Sequence, residues 1–271
     1  SLVGSEMCIR DRIKMTSNNK TNRTVGKNMD RIMELLSKLR FYGMLETYRN
    51  DCRTTSSDGM TNDEFLKWIL ESEYDYRRNV SIERLIRSAN FRYKAYMEKI
   101  DYTIKRNLDR NQIERLASLD FIKDGQNIFI TGSSGTGKSY IASAIGYEAC
   151  KNGVRTLYSN ASKLMGQLKM AKNKGTIESE MKKIEKCSLL ILDDLFLIGL
   201  EARERSILME IIEDRHGLKS IIITSQLPVE SWYDAIGDPT VADAILDRIV
   251  HTAHKIELTG DSVRKINAKK K

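Results

Sequence analysis

The sequence is poor in the residues that build covalent frameworks and metal centres. It holds two prolines, four cysteines and three histidines in 271 residues. Cys8, Cys52, Cys150 and Cys187 lie far apart and form no C-x-x-C pair, so they read as reduced thiols of a cytoplasmic protein, not as a disulfide framework. His251 and His254 stand three apart with no cysteine or carboxylate cluster beside them, which argues against a metal site of the chain's own. No apolar run approaches the ~18 residues of a membrane span. No apolar stretch follows the first charges, so a secretory signal is not expected either. The remaining composition, 41% hydrophobic and 30% charged, suits a core-forming, helix-rich chain of one large or two smaller domains.

Charge is unevenly placed. Of the net +8, the segment Arg77–Arg115 holds +6, from eleven basic and five acidic residues. Phe91, Tyr93, Tyr96 and Tyr102 are interleaved with Arg84, Arg87, Arg92 and Lys94. That mixture suits contact with a phosphate backbone and some base stacking; the alternative is a solvated helix face over core tyrosines. No helix-turn-helix, zinc finger or RNP motif is evident, so duplex DNA contact would be largely sequence-independent. A second basic cluster ends the chain at Lys269–Lys271.

Residues 1–14 show neither periodicity nor a cap and read as foreign; Met15 is a plausible start, and 1–28 as a whole is expected to be a disordered or artefactual lead. Residues 29–115 read as a small all-α domain. Ile32, Leu35, Leu36 and Leu39 recur at helical spacing up to a stop at Gly43, Thr61 and Glu64 form a capping box, and Ile82, Leu85, Ile86, Ala89, Tyr93 and Tyr96 make a further stripe. From Phe121 the pattern becomes α/β. Apolar strands are expected at 127–131, 154–158, 188–192, 220–224 and 254–258, with helices between them, hence a parallel sheet covered on both faces.

Residues 132–139, Gly-Ser-Ser-Gly-Thr-Gly-Lys-Ser, complete a G-x-x-x-x-G-K-[ST] loop between a strand and a helix. Its glycines allow backbone N–H groups to point inward at phosphate oxygens, Lys138 supplies charge at the β/γ-phosphates and Ser139 a hydroxyl for Mg²⁺. Gly132, Ser133, Ser134, Gly135, Thr136, Gly137, Lys138, Ser139 and Tyr140 are the candidate nucleotide ligands. Leu189-Leu-Ile-Leu-Asp-Asp194 ends a buried strand in two carboxylates, at the sheet edge where ligands bind. Asp193 is placed to hold Mg²⁺ and Asp194 to polarise the attacking water. An aspartate at the second place reaches one methylene less than glutamate, which would slow hydrolysis or call on another group. On the strand 220–224, expected between the loop and the acidic strand, Thr224, Ser225 or Gln226 would touch the terminal phosphate or its water, with Ser225 the candidate taken; the alternative is a strand-end turn. Arg248 would reach a neighbouring subunit's nucleotide as an arginine finger, or make a helix-end salt bridge. Arg215 is a rival finger, and Arg264 would sense nucleotide in cis.

Together Gly132–Ser139, Leu189–Asp194, the stretch 223–232 (Ile-Thr-Ser-Gln-Leu-Pro-Val-Glu-Ser-Trp), the stretch 236–248 (Ile-Gly-Asp-Pro-Thr-Val-Ala-Asp-Ala-Ile-Leu-Asp-Arg) and Gly260–Arg264 resemble the IstB-like ATPases, as do 39–46 and 89–92. The resemblance spans about residues 29–267. It implies an AAA+ P-loop domain over 116–267 without a full helical lid, a helical DNA-binding domain over 29–115, and a basic tail at 268–271. It also implies a bacterial, cytoplasmic ATPase that binds ATP and Mg²⁺, assembles as a homo-oligomer on duplex DNA and stimulates a partner transposase. The same motifs leave open a helicase-loader-type ATPase and a non-hydrolysing nucleotide-gated scaffold.

Overall fold

A computed structural model of the chain describes residues 27–54, 57–251 and 253–269. The expectations for residues 1–26 and for the last two lysines lie outside the described residues. The chain divides into two compact units between Ser81 and Ile82.

The first unit is helical. Helix α1 covers 27–38, α2 Tyr42–Thr54, and α3 Asn62–Ala89, which runs on past the division. The capping box forms: Glu64 N–H donates to the Thr61 hydroxyl oxygen at 3.3 Å, and Thr61 N–H to Glu64 at 2.7 Å. Gly43 is not the stop expected from sequence. The chain turns earlier, with Arg40 left-handed at φ 59°, and Gly43 lies in the first turn of α2. There its N–H donates to the buried Glu73 carboxylate at 2.8 Å and Met44 N–H follows at 3.2 Å, so a side chain of α3 caps α2.

The second unit contains a five-stranded parallel sheet in the order β2-β3-β4-β1-β5. The strands are β1 Asn127–Gly132, β2 Thr156–Asn160, β3 Leu189–Asp193, β4 Ser220–Ser225 and β5 Ala253–Leu258, each within two residues of the stretch read from sequence. Leu189–Leu192 and Ile221–Ile223 are buried, as continuous apolar strands covered on both faces must be. Helices α4 Arg110–Ala117, α5 Asp120–Lys123, α6 Lys138–Lys151, α7 Ala161–Asn173, α8 Ile177–Glu185, α9 Ala202–Glu213, α10 Trp232–Ile236 and α11 Pro239–Val250 surround it, and α12 Val263–Lys269 follows β5. β4 lies between β1 and β3, as expected, so the loop after β1 and the carboxylates after β3 flank the end of β4.

The domain boundary expected at 115/116 moves. Ala95, Ile100, Ile113, Leu116 and Leu119 are buried in one cluster with Ile128 and Ile130 of β1 and Ile141 of α6. Basic composition suggested one helical domain through Arg115, but the apolar residues between the charges pack on the sheet. Phe91, Tyr93 and Tyr102, partly buried, pack there too, and Tyr96 meets Tyr147 edge-on at 5.0 Å.

On the other face, Trp232 is fully buried. Its ring packs on Phe129 at 4.8 Å and Phe196 at 5.3 Å, and its indole N–H donates to the Leu227 carbonyl at 3.2 Å. Trp232→Ala is expected to lower the unfolding free energy by about 3–5 kcal/mol, and Trp232→Phe by clearly less, in urea denaturation followed by circular dichroism.

Candidate functional site

The site begins with backbone that only glycine tolerates. Gly132 has φ 138°, and a Cβ there would collide with the Leu258 carbonyl of β5. Gly137 has φ 101°, and a Cβ would sit 2.5 Å from Arg106 Nη1. Between them the loop curls ahead of α6, whose first amides and positive dipole end favour an anion. The Lys138 ammonium is buried and donates to the carbonyls of Gly132 at 2.7 Å and Ser133 at 2.9 Å. Burial pulls its pKa down from the usual lysine range, and the negative charges of Asp194 and Asp193 act against that.

Across β4 stands Asp193, with no exposed surface. A buried carboxylate needs hydrogen-bond donors. Two hydroxyls supply them, Tyr158 to Oδ2 at 2.5 Å and Thr224 to Oδ1 at 2.6 Å. Burial, and then the bond to Asp193, pushes the Tyr158 phenol far above its usual range, which keeps it a donor. Thr224 does a second job: its oxygen accepts Asp194 N–H at 2.9 Å, supporting Asp194 in a left-handed conformation at φ 57°. Burial first, and then the charge of Asp193, raises the Asp194 pKa; Lys138, Arg92 and Arg264 counteract it.

A cavity of about 320 Å³ opens between the loop and the carboxylate Asp194. Lys138, Ser139, Asp194, Gln226 and Arg264 line its polar part; Tyr93, Ile104, Tyr140 and Val263 form an apolar wall. Two arginines here are not read as nucleotide-site residues from the sequence. Arg92, put forward with Arg84, Arg87 and Lys94 for phosphate-backbone contact, lines this cavity: its Nη1 lies 3.7 Å from Asp193 and 3.9 Å from Asp194. Arg106 is buried and donates to the carbonyls of Thr136 at 3.0 Å and Asp101 at 3.0 Å, tying the phosphate loop to the segment before α4. Tyr158 also escaped the sequence reading, although a tyrosine in a strand paired with the acidic one was a usable signal.

The sequence model of the IstB-like ATP binding protein family matches residues 34–271. The chain belongs to that family. An insertion sequence ATP-binding protein of Sinorhizobium fredii is 38% identical over 238 residues, covering 88% of this chain and 97% of that one. Among solved structures, DnaI is 26% identical at a TM-score of 0.52, covering 62% of this chain and 90% of that one. The DnaC helicase loader is 22% identical at a TM-score of 0.50, covering 61% of this chain and 97% of that one. The strand order and these likenesses place the second unit in the AAA+ P-loop fold.

The other residues put forward for an IstB-like site fall in different places. Ser225 is corrected: it is fully buried, its hydroxyl donates to the Leu195 carbonyl at 2.8 Å, and it pins the turn after β3 instead of facing the cavity. Gln226 is the strand-end residue that lines it. Arg215 is no finger either. It is buried, with its guanidinium on the carbonyls of Ile184, Cys187, Ser188 and Ser220. Arg248, at the end of α11, pairs with Glu213 at 2.6 Å, a helix-end bridge but not the one with Asp247. Arg264 lines the pocket and donates to the Tyr93 hydroxyl at 3.4 Å. Arg84, Arg87 and Lys94 are exposed to solvent. Thr224→Val removes the donor to Asp193 and the acceptor of Asp194 N–H. It is expected to lower stability by about 2 kcal/mol, and Thr224→Ser by less than about 1 kcal/mol, in chemical denaturation.

Proposed function

We propose that the chain hydrolyses ATP and uses the nucleotide to assemble on duplex DNA as the helper of an insertion-sequence transposase. The observation that carries this reading is the juxtaposition of the Gly132–Ser139 cradle with Asp193 and Asp194 across β4, in a chain of the IstB-like ATP-binding family. The apolar wall of Tyr93, Ile104, Tyr140 and Val263 suits an adenine ring, leaving the phosphates to the loop amides and Lys138.

The oxygen donors fit a hard divalent cation. The Ser139 hydroxyl would hold Mg²⁺ directly. Asp193, whose oxygens each accept one hydroxyl hydrogen bond and keep a further lone pair, would hold it directly or through water. The ion would offset charge on the terminal phosphates. Asp194, partly buried and held by Thr224, would orient the attacking water.

Arg248 precedes β5, at the edge of the sheet opposite the phosphate loop. In this reading it acts on a second copy's nucleotide after releasing Glu213, which couples turnover to assembly. Exposed Arg84, Arg87 and Lys94 supply DNA phosphate contacts. The likeness to the DnaC helicase loader supports a second reading, an ATPase that acts on a replicative helicase. Stimulated strand transfer with an insertion-sequence transposase, against stimulated helicase loading, separates the two.

Lys138→Ala is expected to abolish saturable uptake of magnesium-ATP by folded protein. Arg248→Ala is expected to keep uptake and to lose ~100-fold or more in turnover at assembling concentrations. Normal turnover by Arg248→Ala would remove it as the finger, and absence of turnover in the unaltered protein with and without DNA would leave a nucleotide-gated scaffold. DNA affinity should fall steeply with salt, and Arg84→Ala with Arg87→Ala should flatten the log–log slope by about 2.

A further inference from the structure

The phosphate end of the pocket carries a cation that neither the loop motif nor the acidic strand accounts for. Arg92 lies three residues beyond the end of α3, and its side chain, 48% exposed, faces the cavity. Its distances to Asp193 and Asp194, 3.7 and 3.9 Å, are too long for hydrogen bonds. Asp193 does not require it, because Tyr158 and Thr224 already satisfy both oxygens. The guanidinium lies over the Tyr93 ring at 5.4 Å from its centre, which orients its planar fork. Arg92 is therefore held beside the carboxylates by charge and by the ring, and is not consumed by either.

A terminal phosphate placed against Lys138 would approach Asp193 and Asp194, both negative. A cation beside those carboxylates and lining the same cavity offsets the repulsion, and a guanidinium can meet the phosphate with two parallel donors. A diphosphate ends one phosphate short of that position. We propose that Arg92 contacts the terminal phosphate of a triphosphate bound in its own chain and makes the site distinguish triphosphate from diphosphate. This inference rests on the ATP reading of the pocket.

The test is the affinity of the full-length chain for magnesium-ADP and for the magnesium complex of a non-hydrolysable β,γ-methylene ATP analogue, by titration calorimetry. Arg92→Ala is expected to weaken the triphosphate analogue about tenfold or more and ADP less than about twofold. Arg92→Lys, which keeps the charge and loses the fork, should fall between. Equal weakening of both nucleotides, or no change in either, overturns the proposal. So does a loss of duplex DNA affinity without nucleotide while analogue binding is unchanged, which would return Arg92 to the DNA-facing cations. If Arg92→Ala does not fold, Arg92→Gln and Arg92→Lys carry the same comparison. ADP binding separates the two levels of the argument: a variant that keeps ADP and also keeps the analogue refutes the role of Arg92 alone, whereas an unaltered protein that takes up neither nucleotide overturns the ATP reading and this inference with it.

Discussion

The site depends on a carboxylate buried where apolar strands end. Asp193 terminates β3 after four buried aliphatic residues and has no exposed surface. Without donors, such a group would be among the most destabilising in the unit. Its donors come from the strands on either side, Tyr158 of β2 and Thr224 of β4. Satisfying one acid thus ties three strand ends together. Thr224 extends the tie to Asp194 N–H and, through its own carbonyl, to Leu195 N–H at 2.9 Å, and Ser225 adds the Leu195 carbonyl. The left-handed turn that presents Asp194 is held from β4, so its strain is met by neighbours instead of by the turn's own residues.

The phosphate loop is supported in a comparable way from outside its motif. Arg106 holds the Thr136 carbonyl, and Val263 N–H of α12 donates to the Gly135 carbonyl at 2.9 Å. The segment before α4 and the segment after β5 therefore grip the loop from two sides, and both also line the cavity through Ile104 and Val263. A guanidinium buried beside backbone carbonyls is costly when the site is apolar and useful when an anion is near, since its charge is not screened by water. Burial does pull the Arg106 pKa below the usual arginine range.

What was legible in the sequence follows from what is local. The loop motif, the apolar strands and the Asp193–Asp194 pair depend on contiguous residues; of the strand order, only the place of β4 between β1 and β3 was expected. The residues that were missed or misplaced depend on side-chain direction at strand ends or on long-range packing. Ser225 and Gln226 are adjacent, and alternation along the strand decides that one pins a turn while the other lines the cavity. Arg106 looks like any member of a basic run; only its burial against Thr136 marks it. The misplaced boundary has the same origin, because charge dominates the composition of 91–119 while Ile100, Ile113 and Leu116 decide where it packs.

Arg215 and Arg248 show how little residue type alone settles. Arg215 follows α9, Arg248 lies in the last turn of α11, and both precede a strand, so sequence pattern treats them alike. Arg215 spends its donors on four carbonyls beneath the surface, and no second molecule can reach it. Arg248 is half-buried and held by Glu213, whose side chain is itself largely exposed. An ion pair of that kind contributes little, typically under about 1 kcal/mol, so an approaching phosphate can displace the carboxylate at small cost. Parallel strands put Arg248 at the edge where β5 begins and the phosphate loop at the edge where β1 ends. An arginine so placed has no route to the phosphates of its own chain, and any role in hydrolysis requires a second copy to bring the two edges together.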